Sequence, residues 1–340
     1  MDLSVMIPIT LALAVPVTAK SLAVPRHDSL VHTYSIVARD SVTGEMGVAV
    51  QSHYFSVGPV VPWAEAGVGA VATQSLVLID YGPNGLALMK QGLSAQQALD
   101  SLLKADEHNE GRQVGMVDAK GNVATYTGKN AIPFCGHKSG AQYTCQANLM
   151  ASDKVWPSMA EAYEKAQGDL AERMMQALEA GQKAGGDIRG MQSAAILIVK
   201  GQSTGKPWND TVMNLRVEDS DQPLKELRRL IKLRRAYDFE DQGDNFISAK
   251  QPDQALKAYE QAAKLAPEVL ELRFWAAVSM YTNGREDEAL QIFHTVFAAE
   301  PQWVDLIPRL AEVGLFPNDP KKIQQVQNEH RRRAGLRITN

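Results

Sequence analysis

The sequence predicts an α+β fold in which two antiparallel sheets lie between helical layers, an αββα sandwich, followed by a small all-α helical-repeat segment. Three observations predict it. Strand-like runs arrive in pairs around short turn signals, helical runs fall in blocks between those pairs, and a period of 34 residues marks the C-terminal part.

Taken in order, the chain divides into four stretches. Residues 1–32 read as a leader. Its run from Ser4 to Ala19 is mostly apolar and ends in Val17–Thr18–Ala19, small enough for a signal-peptidase site. Against that, the first residues carry Asp2 but no Lys or Arg, and Pro8 and Pro16 interrupt the run. Export to the periplasm or beyond is the first expectation and a cytoplasmic protein the second.

Residues 33–235 read as the sandwich. Strands are expected over 34–39, 46–51, 68–73, 113–117, 123–127, 193–199 and 212–217, with hairpin turns at Ser41–Gly44 and Asp118–Asn122. Helices are expected over 94–105, opened by the capping box Ser94-x-x-Gln97, over 156–165 and 169–183, and from Pro223 onward.

Residues 236–316 carry the repeat. Ala255, Tyr259, Ala262 and Pro267 recur as Ala289, Phe293, Val296 and Pro301, each 34 positions later. That spacing resembles tetratricopeptide repeats. A peptide-binding groove and a stabilising cap are equally good readings of it. Residues 317–340 form a polar, basic tail.

Composition excludes several functions. With 45% apolar and 22% charged residues and a net charge of −4, the 340-residue chain is that of an ordinary globular protein with no footprint for nucleic acid. No apolar run is long and unbroken enough to span a membrane. Cys135 and Cys145 have no metal-ligand spacing around them, and neither a disulfide nor free thiols is favoured. No zinc motif and no Gly-x-Ser-x-Gly elbow occurs, so neither metal nor cofactor is expected. The Gly67–Ala72 pattern is followed by Thr73–Gln74–Ser75 rather than by a helix, which argues against a dinucleotide fold.

The chemistry concentrates where strands end. Thr33 heads a strand and is a candidate nucleophile of the kind whose own α-amine serves as base. Ser52 ends the second strand and Ser75 follows the third. Asp187, Arg189 and Gln192 lie in a glycine-rich loop, where Arg189 could clamp a carboxylate or simply pair with Asp187. His137 could act as acid or base or stand exposed, and Asn148 could donate to an oxyanion.

Together, TYSIVARD at 33–40, the runs at 44–51 and 67–74, YGPNGL at 81–86, 112–117 and GGDIRGMQS at 185–193 resemble the domain of unknown function 1028 family. The resemblance covers roughly 33–237. It implies an N-terminal-nucleophile-hydrolase-like αββα fold, with amide hydrolysis as the leading activity and no settled substrate. It places Thr33 as nucleophile and Asn148 as oxyanion donor. Ser52, Ser75, Arg112, His137, Asp187, Arg189 and Gln192 would face the substrate.

A cut after Ala19 would leave Lys20–His32 in front of Thr33, so a second cut between His32 and Thr33 is required before its amine is free. The expected function is therefore a metal-independent amidohydrolase acting on a small amide or peptide-like compound. The alternative is a non-catalytic scaffold whose repeats hold a protein partner. A homodimer is compatible with either.

Overall fold

The computed structural model describes residues 29–333. Residues 1–28 of the leader expected over 1–32, with its cleavage-site pattern, and residues 334–340 of the tail expected over 317–340 lie outside the described residues.

β1 (Ser29–Val31) leads directly into β2 (Thr33–Arg39), and the chain returns as β3 (Met46–Ser52). β4 (Pro62–Glu65) and β5 (Gly69–Val77) precede α1 (Tyr81–Lys90) and α2 (Ala95–Ala105). Two hairpins follow, β6 (Arg112–Asp118) with β7 (Val123–Thr127) and β8 (Gly136–Gly140) with β9 (Tyr143–Ala147). Next come α3 (Val155–Lys165), α4 (Leu170–Lys183), β10 (Ser193–Val199), the single turn α5 (Pro207–Asp210) and β11 (Thr211–Val217). The rest is helical: α6 (Pro223–Ser248), α7 (Pro252–Leu265), α8 (Leu270–Thr282), α9 (Glu286–Ala299), α10 (Leu306–Glu312) and α11 (Pro320–Arg333). Among the described residues no helix is long and apolar enough to cross a membrane.

The strands form two sheets. One has the order β1-β5-β6-β7, with β4 beside β1 on the same edge of β5; the other has the order β11-β10-β3-β2-β9-β8. Every pairing is antiparallel. The period-2 alternation of strand side chains decides what each face meets. Val37, Val48 and Val50 of one sheet pack with Ala70, Ala72 and Val117 of the other, giving a shared apolar core. On the opposite faces, Tyr34, Ile36 and Ala49 pack against α3, α4 and α6, while Val71, Val114 and Met116 pack against α1 and α2. The fold is thus mixed α/β with antiparallel sheets and a C-terminal helical segment.

Most expected strands and helices form within a residue or two of their sequence limits, and the Ser94 capping box is made in full. β1, β4, β8, β9, α1 and α5 add to the expected set, and α11 forms within the stretch expected as a polar tail, burying Val326. β8 reads Gly-His-Lys-Ser-Gly, with low strand propensity and no alternation, and it forms only because β9 beside it is wholly buried. β1 lies in the stretch read as leader.

α6 runs unbroken for 26 residues, so the expected division at 235 falls inside it. Leu224, Leu227 and Ile231 bury against the sheet of β10 and β11. Farther along the same helix, Gly243 lets the Tyr259 ring approach so closely that a Cβ would sit 2.5 Å from its edge. The repeated positions Ala255, Tyr259, Ala289, Phe293 and Val296 are all buried. Cys135 and Cys145 are free thiols, Cys145 fully buried.

β3 can sit beside β10 only because Gly47 has no side chain. A Cβ there would lie 2.3 Å from the Leu197 carbonyl oxygen and 2.9 Å from Ile198 Cγ1. Gly47→Ala should therefore destabilise the domain by about 1–3 kcal/mol, the usual cost of overpacking. A lowered urea midpoint with an unchanged slope would show it.

Candidate active site

Thr33 begins β2 on the face that looks between the sheets, and it is fully buried. The same alternation puts Ser35 inward on β2, Ser52 on β3, Gln74 on β5, Gln113 on β6 and Gln146 on β9. One end of the space between the sheets is therefore filled with valines and the other with amides and hydroxyls. Buried amides are costly unless bonded, and these bond to one another and to Ser35, with Gln146 Oε1 alone among them lacking a partner. Ser35 Oγ donates to Gln74 Oε1 at 2.7 Å, and Gln146 Nε2 donates to Ser35 Oγ at 2.6 Å. Gln74 Nε2 and Asn148 Nδ2 both donate to Gln113 Oε1, at 2.8 and 2.9 Å. Gln113 Nε2 in turn reaches the Ala147 carbonyl at 2.9 Å.

This network ends on Thr33. Its carbonyl accepts from the Asn148 backbone N–H at 3.1 Å and from Gln74 Nε2 at 3.2 Å. Its hydroxyl has the Val31 carbonyl and Ser52 Oγ both at 3.0 Å, and its one proton serves either. Ser52 stands directly across from Thr33 in the strand register. Ser52 Oγ donates to the His32 carbonyl at 2.6 Å, and Arg189 Nη2 donates to the same oxygen at 2.9 Å. The carbonyl of the 32–33 peptide bond thus sits between a hydroxyl and a guanidinium.

Arg189 is aimed by its own loop. Gly185 and Gly186 have φ of +126° and +60°, which lets the chain turn sharply after α4. An isolated bridge then joins Asp187 to Met150, bringing the loop beside Asn148. Buried Asp187 receives Arg189 Nη2 at 2.7 Å and Nε at 3.0 Å, so the guanidinium is held as a fork. The His32 ring is buried as well, with Nδ1 2.8 Å from Asn148 Oδ1. Because Asn148 Nδ2 is a donor to Gln113, its Oδ1 accepts and His32 Nδ1 carries the proton. Burial lowers the His32 pKa, the Asn148 bond opposes this and Arg189 lowers it further, so the ring is neutral at pH 7.

The structure brings Thr33, Ser52, Asn148, Asp187 and Arg189 together. Ser75 stands at the rim, where its φ of +74° is unusual for a residue other than glycine and where it pairs with Val31. Leu149, next to Asn148, has a φ of +59°. Backbone held in this region clusters at functional sites. In the uncut chain the Asn148 amide supports the Thr33 carbonyl and holds the His32 ring. Ser52 and Arg189 are the donors at the carbonyl.

Three expected residues direct their side chains to partners other than Thr33, although the Gln192 backbone N–H donates to the Ser52 carbonyl at 3.1 Å. Gln192 bonds Asp219 at 3.0 Å, and exposed His137 pairs with Thr127 at 2.9 Å. Arg112 bonds Asp106 at 2.7 Å and the Leu76 carbonyl at 2.7 Å, which fixes the edge of β5. His32, Gln74 and Gln113 belong to the site and were not singled out by the sequence. The available signal was a glutamine at an inward position of an otherwise apolar strand.

A cavity of about 430 Å3 lies between α6, α7 and α8 in the helical segment. Glu240, Asp244 and Glu271 line it beside Tyr259 and Trp275. Buried Ser279 also lines it, and its hydroxyl has no hydrogen-bond partner. Burial together with the nearby Asp244, Glu271 and Asp241 carboxylates pushes the Glu240 pKa up to about 7. Among the described residues no group of three or more His, Cys, Asp or Glu could hold a metal ion.

Fold and site define an α/β protein with an inward-facing hydroxyl site on paired antiparallel sheets and a helical-repeat extension. The chain belongs to the family of unknown function DUF1028, whose model matches residues 33–227, more than half of its length. A tetratricopeptide repeat model matches residues 246–307. The solved structure of protein SPO2555 from Silicibacter pomeroyi, also matched by the DUF1028 model, is similar to this chain, with 26% identity and a TM-score of 0.54. The likeness covers 59% of this chain and 85% of that one. No curated protein matches.

Arg112→Leu should cost about 3–5 kcal/mol at pH 7, because it leaves the Asp106 carboxylate buried without its cation. Burial alone would raise the Asp106 pKa, but the Arg112 bond and the His108 backbone N–H bring it below its ordinary value. A depressed folded pKa stabilises above the unfolded value near ~3.9 and is lost as pH falls through the folded value. Without Arg112 burial raises the Asp106 pKa, so urea midpoints should show the penalty of Arg112→Leu shrinking as pH falls from the variant's raised Asp106 pKa through the native, lowered one.

Proposed function

We propose that this protein is an amidohydrolase of the N-terminal-nucleophile type, an αββα sandwich whose nucleophile, Thr33, is released by cleavage of the 32–33 bond. The observation that carries this reading is the His32 carbonyl held by both Ser52 Oγ and Arg189 Nη2. Oriented donors around a carbonyl oxygen are what acyl transfer needs, since negative charge develops there.

The self-cleavage follows from the same contacts. Thr33 Oγ1 attacks the His32 carbonyl carbon while its proton passes to Ser52 Oγ, and the Ser52 proton passes to the carbonyl oxygen. The tetrahedral adduct then collapses, the C–N bond breaks, and the nitrogen takes up the proton as the oxygen releases it. The product is an ester between His32 and Thr33 Oγ1. Water hydrolyses it, leaving a His32 carboxylate and a Thr33 with a free α-amine. That amine, with an unperturbed pKa near ~8, can accept the hydroxyl proton in later turnovers. Asn148 and Gln74 keep the Thr33 carbonyl fixed throughout.

The purified protein should accumulate a chain beginning at Thr33, and Thr33→Ala should stay joined. Arg189→Ala should slow cleavage by about a hundred- to a thousandfold, the usual cost of removing one such donor. N-terminal sequencing over a time course measures both. Cleavage of Thr33→Ala at the wild-type rate would sink the reading.

The helical segment carries a second role compatible with the first, binding of a protein partner through a cationic side chain. The three carboxylates and the aromatic rings of Tyr259 and Trp275 in its cavity favour it. A lysine-bearing hexapeptide should bind more tightly than its glutamate counterpart. Its affinity should rise several-fold as Glu240 ionises between about pH 6 and about pH 8. Calorimetry on Glu240→Gln should show that pH dependence flattened.

A further inference from the structure

The four residues in front of Thr33 follow the course that a substrate would need. Ser29–Val31 pair antiparallel with Val77–Ser75 of β5 as a short edge strand. The rest of that edge is already taken by β4, which pairs Gly69–Ala72. Side chains alternate as in any strand. Val31 is fully buried among the valines between the sheets, Leu30 is 54% exposed, and the His32 ring is buried against Asn148. The His32 carbonyl ends the run between Ser52 and Arg189.

Resting on the reading of Thr33 as nucleophile, we infer that the substrate is an extended peptide whose acyl-side residues take the course of Ser29–His32. Two arguments carry it. The first is chemical. The ester formed in self-cleavage joins an acyl carbon to Thr33 Oγ1, and the ester formed from a substrate joins the same two atoms. Whatever lies on the acyl side of a substrate bond must occupy the groove that holds residues 29–32.

The second argument is structural. Departure of those residues strips β5 of its partner over Ser75–Val77 and opens a space the size of a valine side chain. It also leaves Asn148 Oδ1 without its ligand and frees one N–H of Arg189 Nη2, which keeps its bond to Asp187. An unpaired strand edge is a template for another extended chain. The vacated contacts then specify the substrate. A donor-bearing side chain next to the cut bond meets Asn148, a small apolar side chain before it fills the Val31 space, and the residue before that faces solvent.

In turnover Thr33 Oγ1 gives its proton to its own amine and attacks the substrate carbonyl carbon. The substrate C–N bond breaks and the departing amine takes that proton. Water then splits the ester, giving a peptide acid and regenerated Thr33.

The test uses protein opened at the 32–33 bond, by its own cleavage or at a protease site placed there, and freed of the preceding residues. Its probes are aminomethylcoumarin amides of acetyl-Ser-Leu-Val-His, of acetyl-His alone, and of the tetrapeptide with Asp in the valine or the leucine place. The tetrapeptide should exceed acetyl-His in kcat/KM by at least about tenfold. Asp in the valine place should cost about ten- to a hundredfold, and Asp in the leucine place about twofold or less.

Equal cleavage of acetyl-His, or no penalty for Asp in the valine place, would overturn the peptide inference and leave Thr33 as nucleophile. If no amide is cut, the free acid acetyl-Ser-Leu-Val-His is titrated by calorimetry. Binding weakened about tenfold by Asp in the valine place would uphold the groove while removing the catalytic reading. No binding would overturn both.

Discussion

The geometry of the site depends on one constraint, that a row of amides buried between two sheets must satisfy itself. Gln74, Gln113 and Asn148 each bond another member of the row, and two of them finish on the Thr33 carbonyl. Each bond is individually modest, but an amide left unpaired in this space would cost about 1–3 kcal/mol. The row therefore locks the position of β2 relative to β5, β6 and β9, and with it the direction of the Thr33 hydroxyl. Gly115 belongs to the same constraint. A Cβ there would lie 2.5 Å from Gln146 Oε1, so the glycine leaves room beside the row for the Gln146 amide, whose oxygen has no partner.

The rigid row meets its counterpart in the glycine-rich loop. Asp187 holds Arg189 by two contacts, and Arg189 reaches past it to the His32 carbonyl. One wall of the site is thus neutral and built into the sheets, while the other is charged and built on a turn. In the proposed function the first wall places the nucleophile and the second stabilises the oxygen it attacks. The residues before Thr33 lie between these walls, paired to β5 as an additional strand. The same contacts that would cut the 32–33 bond would afterwards hold a substrate there.

Much of this was legible in the sequence because it follows from period and turn chemistry. TYSIVARD and the run after Gly44 alternate as a hairpin, the capping box at Ser94 starts α2, and the 34-residue period marks the helical segment. Other parts were not legible, for physical reasons. β1 is three residues long and acquires its meaning only from β5 across the sheet. His32 looked like the end of a leader because nothing local announces that its ring meets Asn148, 116 positions away. Arg112 looked available to a ligand, yet its charge is matched by Asp106 from the loop just before it. Long-range partners decide the role of a polar residue, and a sequence shows only the polar residue.

The central claim is that Thr33 Oγ1 receives the acyl group of His32, and trapping that ester tests it most directly. Purified uncut protein would be incubated with neutral hydroxylamine, which attacks esters and, apart from slow opening of Asn-Gly bonds such as Asn84–Gly85 and Asn283–Gly284, leaves peptide bonds intact. The products would then be read by mass spectrometry. The account predicts a leader fragment ending in the hydroxamate of His32, a matching chain beginning at Thr33, and neither product from Thr33→Ala. An intact 32–33 bond after prolonged incubation, or the His32 hydroxamate arising equally from Thr33→Ala, would contradict it.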